Sequence, residues 1–372
     1  MTCRTGRLPA IKARLLARPV AIFLASRAGV LLIASAIAFD EHLPVMTLLT
    51  RWDGHWYAIA ATKGYPSVIP PGHGNVAQSA LGFFPLYPMA IRATMTVSGL
   101  GPHGASLAVG FTGGLVGAVL VWLLINAVYG SSAADRGTAL VFVSPGAYVL
   151  SMAYSETVLL PLVAGCLLAL HHRRWLAAGV LAAGATACDP VGIAIVVPCV
   201  IAAVTAIRAR RDWWSLITPA LAPAGIGAFF AYLWAHDGTP FAWFIAQRRG
   251  WQPGRLGSGL WTQLLVIRGD HLSLPPYTVK AAGFVVAMAL LAVFLTTRRP
   301  GTWTGYVVAV LALALMSPIV GFTPRTLLRA FPLVGVVGAR ASSGWFEALL
   351  IMFGLAMAAA AALSFGSLGL AP

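Results

Sequence analysis

Asp53 stands between Trp52 and Gly54 in the run RWDGHWYAIAATKGY at 51–65, and the aromatic segment FFPLYP follows at 83–88. A carboxylate in that setting is suited to accept a proton from a sugar hydroxyl in a transfer reaction. The indoles of Trp52 and Trp56 can flank a sugar ring, and the small Gly54 allows a ligand to come close. The same Asp53 is equally suited to cap a helix whose first turn is GHWY. His55 and Lys63 are either donors to a substrate or solvated interface residues.

A transfer chemistry also needs cations for a departing anionic group. Arg325 and Arg329 follow the break at Pro324, and Arg248 and Arg249 lie in a second polar segment with Gln247 and Trp251. The planar fork of arginine matches phosphate oxygens and its charge needs no tuning. The alternative for Arg325 and Arg329 is that they snorkel to lipid headgroups. Gln247 and Trp251 are candidates to touch sugar or lipid. Tyr154 and Glu156 form a short turn between apolar runs. Glu156 there either contacts a substrate or an arginine, or is an acid favoured at a helix N-terminus by the macrodipole.

The elements that must hold these residues are apolar. Of 372 residues, 59% are hydrophobic and only 9% charged, and the mean hydropathy is +0.83. A soluble domain carries roughly a quarter charged residues, so the expected class is an all-α polytopic membrane protein. Apolar stretches at about 19–39, 105–128, 138–153, 156–170, 175–188, 191–207, 214–235, 278–296, 303–317, 327–339 and 346–366 predict about eleven helices in one integral membrane domain over 1–372. The first stretch is too long for a signal-peptide core and is expected to be a retained helix. Cys166, Cys188 and Cys199 fall in apolar spans and Cys3 in a basic tail, so neither a disulfide framework nor a zinc site is expected.

The net charge of +15 does not point to nucleic acid, because the basic residues sit in short clusters between spans. Placing the tail 1–18 in the cytoplasm puts Arg136, HHRR at 171–174, RARR at 208–211, Arg298, Arg299 and Arg340 on that side as well. The segments 40–104 and 236–277 and the turns at 154–156, 188–190 and 321–325 then share the other side, where all the candidate chemistry gathers. Segment 83–98, broken by prolines, is expected to be an interfacial or re-entrant helix.

Five stretches in order carry a resemblance: RWDGHWYAIAATKGYP, GFFPLYP, SPGAYVLSMAYSE at 144–156, TPFAWFIAQRRGWQP at 239–253 and RTLLRAFP at 325–332. Together they resemble the bacterial relatives of the PIG-V mannosyltransferases, in the GT-C superfamily of lipid-linked glycosyltransferases. The resemblance implies a GT-C-type helical bundle with an outer catalytic loop. It implies an inverting transfer of a mannosyl residue from a polyprenyl-phosphate-mannose donor to a lipid- or glycan-linked acceptor at the non-cytoplasmic face of the cell membrane. Asp53 matches the aspartate taken as catalytic base in that family. In ATACDPVG at 185–192 the family pattern tends to carry an arginine where this chain has Asp189. Asp189 is therefore either a second outer carboxylate or a sign of changed donor preference or lost activity.

No DxD pair stands in the first outer segment, so no divalent metal is indicated and no cofactor beyond the lipid-linked donor is expected. The competing function class is a polytopic lipid or solute transporter, which would favour internal repeats and mid-span charge pairs. A third is an inactive scaffold of the same fold.

Overall fold

The computed structural model describes residues 13–251, 275–316 and 323–366. Among them there are helices and turns and no strand. The basic tail up to Lys12, Cys3, and most of the second long outer segment (252–274) lie outside the described residues.

The chain is a polytopic helical membrane bundle. In order, α1 is Ala13–Asp40, α2 Val45–Leu49, α3 Asp53–Lys63, α4 Leu86–Ser98, α5 Pro102–Tyr129, α6 Ser131–Phe142, α7 Glu156–His171 and α8 Trp175–Cys188. Then follow α9 Val196–Arg210, α10 Ile217–Leu221, α11 Ala224–Asp237, α12 Ala242–Ala246, α13 Pro275–Thr296, α14 Gly301–Met316, α15 Arg325–Arg329, α16 Phe331–Arg340 and α17 Ser343–Phe365. Among the described residues, five segments are long and apolar enough to cross a membrane: Leu16–Asp40, Pro102–Tyr129, Pro190–Arg210, Trp213–Asp237 and Ser343–Phe365. Shorter apolar helices of 10–17 residues, α7, α8, α14 and α16 among them, fill the bundle between these.

Proline sets most departures from the expected spans. The stretch 138–153 is not one helix: α6 stops at Phe142, Ser144-Pro145-Gly146 turns the chain, and Ala147–Ser151 is a 3₁₀ turn. Proline denies the helix a donor and biases the residue before it away from helical geometry. The same cause divides 327–339 into α15 and α16 around Pro332 and breaks 214–235 near Pro219 and Pro223. Segment 83–98 is helical from Leu86, as expected, with one buried face (Tyr87, Pro88, Ile91).

The break after α6 leaves backbone carbonyls to satisfy in an apolar setting, where each orphan is costly. Arg27, buried in the middle of α1, does this: its guanidinium donates to the carbonyls of Ala147 and Phe142 and to Ser151 Oγ. An intramembrane arginine is therefore a structural clamp here. It holds the 144–156 segment in place beneath the candidate residues.

Candidate active site

The turn that presents Asp53 is strained. Gly54 N–H donates to Arg51 O at 3.1 Å, closing a tight turn in which Trp52 takes φ 60 and ψ −121. Those are the angles of the first central position of a type II′ turn, where glycine is the usual occupant. A tryptophan there costs on the order of 1–3 kcal/mol, a cost that clusters at functional sites. Its indole anchors the turn by donating to Ser364 O at 3.4 Å on α17. Trp52 thus braces the Asp53 turn, with its half-buried side chain packed against the core.

Gly54 also has a role other than ligand approach. A Cβ added there would lie 3.0 Å from the Ala153 Cβ, so the glycine lets α3 start directly against the Tyr154 turn. Asp53 does not cap α3 either: the helix begins at Asp53 itself and shows no side-chain cap bond. Its Oδ2 instead accepts from Arg325 Nη1 at 3.2 Å.

From that contact a chain of charges runs inward. Arg325 Nη1 lies 3.2 Å from Asp53 Oδ2 and 3.2 Å from Glu156 Oε1. Arg329 Nη2 lies 2.8 Å from the same Glu156 oxygen and 3.4 Å from Asp189 Oδ2. Three carboxylates alternate with two guanidiniums. The four-residue spacing of Arg325 and Arg329 on α15 puts both on one face, one turn apart. Side-chain exposure is 27% at Asp53 and 15% at Arg325, then 2% at Glu156, 7% at Arg329 and 5% at Asp189. The open end is the Asp53–Arg325 end.

Small residues and hydroxyls set this geometry. Gly146 lets the 144–151 turn press on the Pro324–Arg325 backbone, since an added Cβ would lie 2.6 Å from Arg325 Cα. Tyr154, 1% exposed, lies with its ring 5.1 Å from the Arg325 guanidinium carbon, and its hydroxyl accepts from Asp53 N–H at 3.4 Å. Ser155 Oγ donates to Asp189 Oδ2 at 2.9 Å, and Asp189 Oδ1 accepts from Val191 N–H at 2.9 Å. Tyr306 donates to Arg329 O at 3.1 Å. Burial pushes the Asp53 carboxyl above its ordinary range, against the pull of Arg325.

The other sequence candidates lie apart from the ionic chain. Trp56 packs against Phe83 and Trp251, with centroids 6.4 and 5.4 Å away, and His55 meets the Trp56 edge at 5.5 Å while itself exposed. Lys63 is exposed at the last turn of α3. Gln247 is buried and donates to Gly82 O at 2.7 Å, tying the second segment to the first. Arg248 is exposed, and Arg249 donates to Pro70 O at 3.4 Å. Among the described residues neither arginine pairs with a carboxylate.

Ser155, Gly146 and Tyr306 were not singled out in the sequence. Ser155 carries a signal in hindsight, standing between Tyr154 and Glu156. Among the described residues, no three His, Cys, Asp or Glu converge closely enough to hold a metal ion.

The fold resembles that of ArnT. The crystal structure of ArnT from Cupriavidus metallidurans bound to undecaprenyl phosphate superposes with a TM-score of 0.50 at 16% identity, over 75% of this chain and 54% of ArnT. The apo structure of the same protein gives 0.51 at 17% identity, over 80% of this chain and 56% of ArnT. This chain therefore spans about half the length of the ArnT chain it matches. No protein-family model and no curated protein matches the sequence.

Proposed function

We propose that this chain is an inverting membrane glycosyltransferase that moves a mannosyl residue from polyprenyl-phosphate-mannose to a lipid- or glycan-linked acceptor. The observation that carries the reading is the chain Asp53–Arg325–Glu156–Arg329–Asp189, assembled from four distant parts of the sequence and open at Asp53. The likeness to ArnT, a GT-C glycosyltransferase whose structure holds undecaprenyl phosphate, supports a polyprenyl-phosphate donor. The sequence resemblance to the PIG-V relatives supports mannose. The basic turns at the far end of the bundle support placing Asp53 on the non-cytoplasmic face.

In this mechanism the acceptor hydroxyl oxygen attacks the anomeric carbon as the bond from that carbon to the phosphate oxygen breaks. The acceptor proton passes to Asp53, and the electron pair leaves with polyprenyl phosphate. Asp53 is the general base, a role worth about 10²–10⁴ in rate. Arg325, the more accessible guanidinium, meets the phosphate. Its guanidinium is the less buried of the two, with a side chain 15% exposed against 7% for Arg329, and its charge can stabilise the leaving oxygen. Arg329 and Asp189 sit behind Glu156 and act as positioning residues. Trp56, His55 and Trp251, which pack on one another on and beside the helix that starts at Asp53, are the sugar- or acceptor-contacting candidates, with Trp52, Lys63, Gln247, Arg248 and Arg249.

The test is incubation of purified protein with synthetic polyprenyl-phosphate-mannose, polyprenyl-phosphate-glucose and extracted membrane lipids, with products identified by mass spectrometry. A mannosylated product is expected. Transfer of glucose alone would correct the sugar, and no transfer from either donor would move the reading to a lipid or solute transporter.

A further inference from the structure

At the end of the bundle remote from Asp53, four helix ends surround a cavity of about 250 Å³. α7 starts at Glu156 and ends at His171, a rise of about 24 Å at roughly 1.5 Å per residue. The cavity is thus a full helix length from the ionic chain. Its rim carries His171, Arg173 and Arg210, and its floor is Leu170, Ile201 and Trp303.

The charges here are not neutralised. Arg174, Arg208, Arg211, Arg298 and Arg299 belong to the same turns, and the acid among them, Asp212, accepts the indole N–H of Trp175 at 2.9 Å. Among the described residues no carboxylate pairs with Arg173 or Arg210. Arg173 moreover holds φ 55, a left-handed position after a helix that glycine or asparagine usually fills. Gly301 opens α14 beside them with nothing within 4 Å of an added Cβ, so the cavity wall is open at that helix end. Orientation by basic clusters and helix C-terminal dipoles accounts for cations at this end. Neither accounts for their convergence on a cavity with an apolar floor.

We propose that this cavity binds an anionic phospholipid of the surrounding leaflet, with Arg173 and Arg210 on the phosphate and the glycerol and upper acyl carbons over Leu170, Ile201 and Trp303. Basic pockets between membrane helices suit such headgroups. The apolar floor favours a lipid over a soluble anion, and Trp213 and Trp214, 65% and 63% exposed just beyond α9, mark an interfacial level. The site is independent of the transferase reading.

The test uses full-length protein in nanodiscs of phosphatidylglycerol and phosphatidylcholine mixtures, with retained lipid read by native mass spectrometry. Wild type should retain phosphatidylglycerol over phosphatidylcholine, and Arg173→Gln with Arg210→Gln should weaken that preference by roughly tenfold. Arg208→Gln with Arg298→Gln, which removes the same charge from the same end outside the cavity, should change it little. Equal loss in both double variants, or no preference in wild type, would overturn the site. Displacement of the lipid by 10 mM inorganic phosphate would reassign it to a soluble anion and overturn the lipid proposal. If the double variant does not fold, the single variants at these two exposed positions carry the same comparison.

Discussion

The two ends of α7 hold arginines in opposite ways. At the Glu156 end Arg325 and Arg329 are wedged among three carboxylates, and Arg329 is 7% exposed. At the His171 end Arg173 and Arg210 are exposed and unpaired among the described residues. A buried ion array seldom stabilises a protein beyond what apolar residues of the same volume would supply. Its presence therefore points to chemistry, whereas exposed cations at a membrane surface cost little and point to topology or to lipid.

The largest break in this contrast comes from Glu156. Glu156→Ala leaves two buried guanidiniums without their shared carboxylate, a loss of about 3–5 kcal/mol for a broken buried pair. The variant should show a lower thermal-unfolding midpoint in detergent and no sugar transfer. An unchanged midpoint would mean that water reaches the array freely.

Next come the arginines themselves. Arg325→Lys keeps the charge but loses the planar fork, so transfer should fall at least about tenfold with folding unchanged, and further than for Arg248→Lys or Arg249→Lys. Equal effects at Arg325 and Arg248 would shift the phosphate contact to the second outer segment. The pH profile sharpens the same point. The proposed base role requires Asp53 deprotonated and burial raises its pKa, so activity should be lost on acidification at a pH above the ordinary range of an aspartate, and Arg325→Gln should move that limb higher still. A limb that ignores Arg325 would separate the two groups.

The smallest effect concerns orientation. Val76→Cys, on the Asp53 side and 79% exposed, should react with an impermeant thiol reagent in intact cells, and His172→Cys should not, neither with a change in activity. Labelling of His172→Cys alone would invert the topology.

Hydropathy made the membrane class and most helix positions legible, because a spanning helix must be apolar along its length. It missed the break at Ser144-Pro145-Gly146 and the role of Arg27, since both depend on which carbonyls a tertiary neighbour can satisfy. The WD turn pointed to Asp53, and the break at Pro324 with the chemistry of the guanidinium to Arg325 and Arg329. Asp189 looked like a departure from pattern, yet it closes the ionic chain through Arg329 and Ser155. Arg248 and Arg249 looked as promising as Arg325 by residue type alone. Only the fold separates them, because convergence of α3, α7, α15 and the 189 turn is a property of long-range packing.

The most direct test of the account is the rate of sugar transfer by Asp53→Asn beside wild type, in preparations matched for thermal stability. The substitution keeps the size of the side chain and removes the proposed base. The account predicts a loss of about 10²–10⁴ with an unchanged unfolding midpoint. Transfer at the wild-type rate would contradict it and leave Asp53 as a partner that merely holds Arg325.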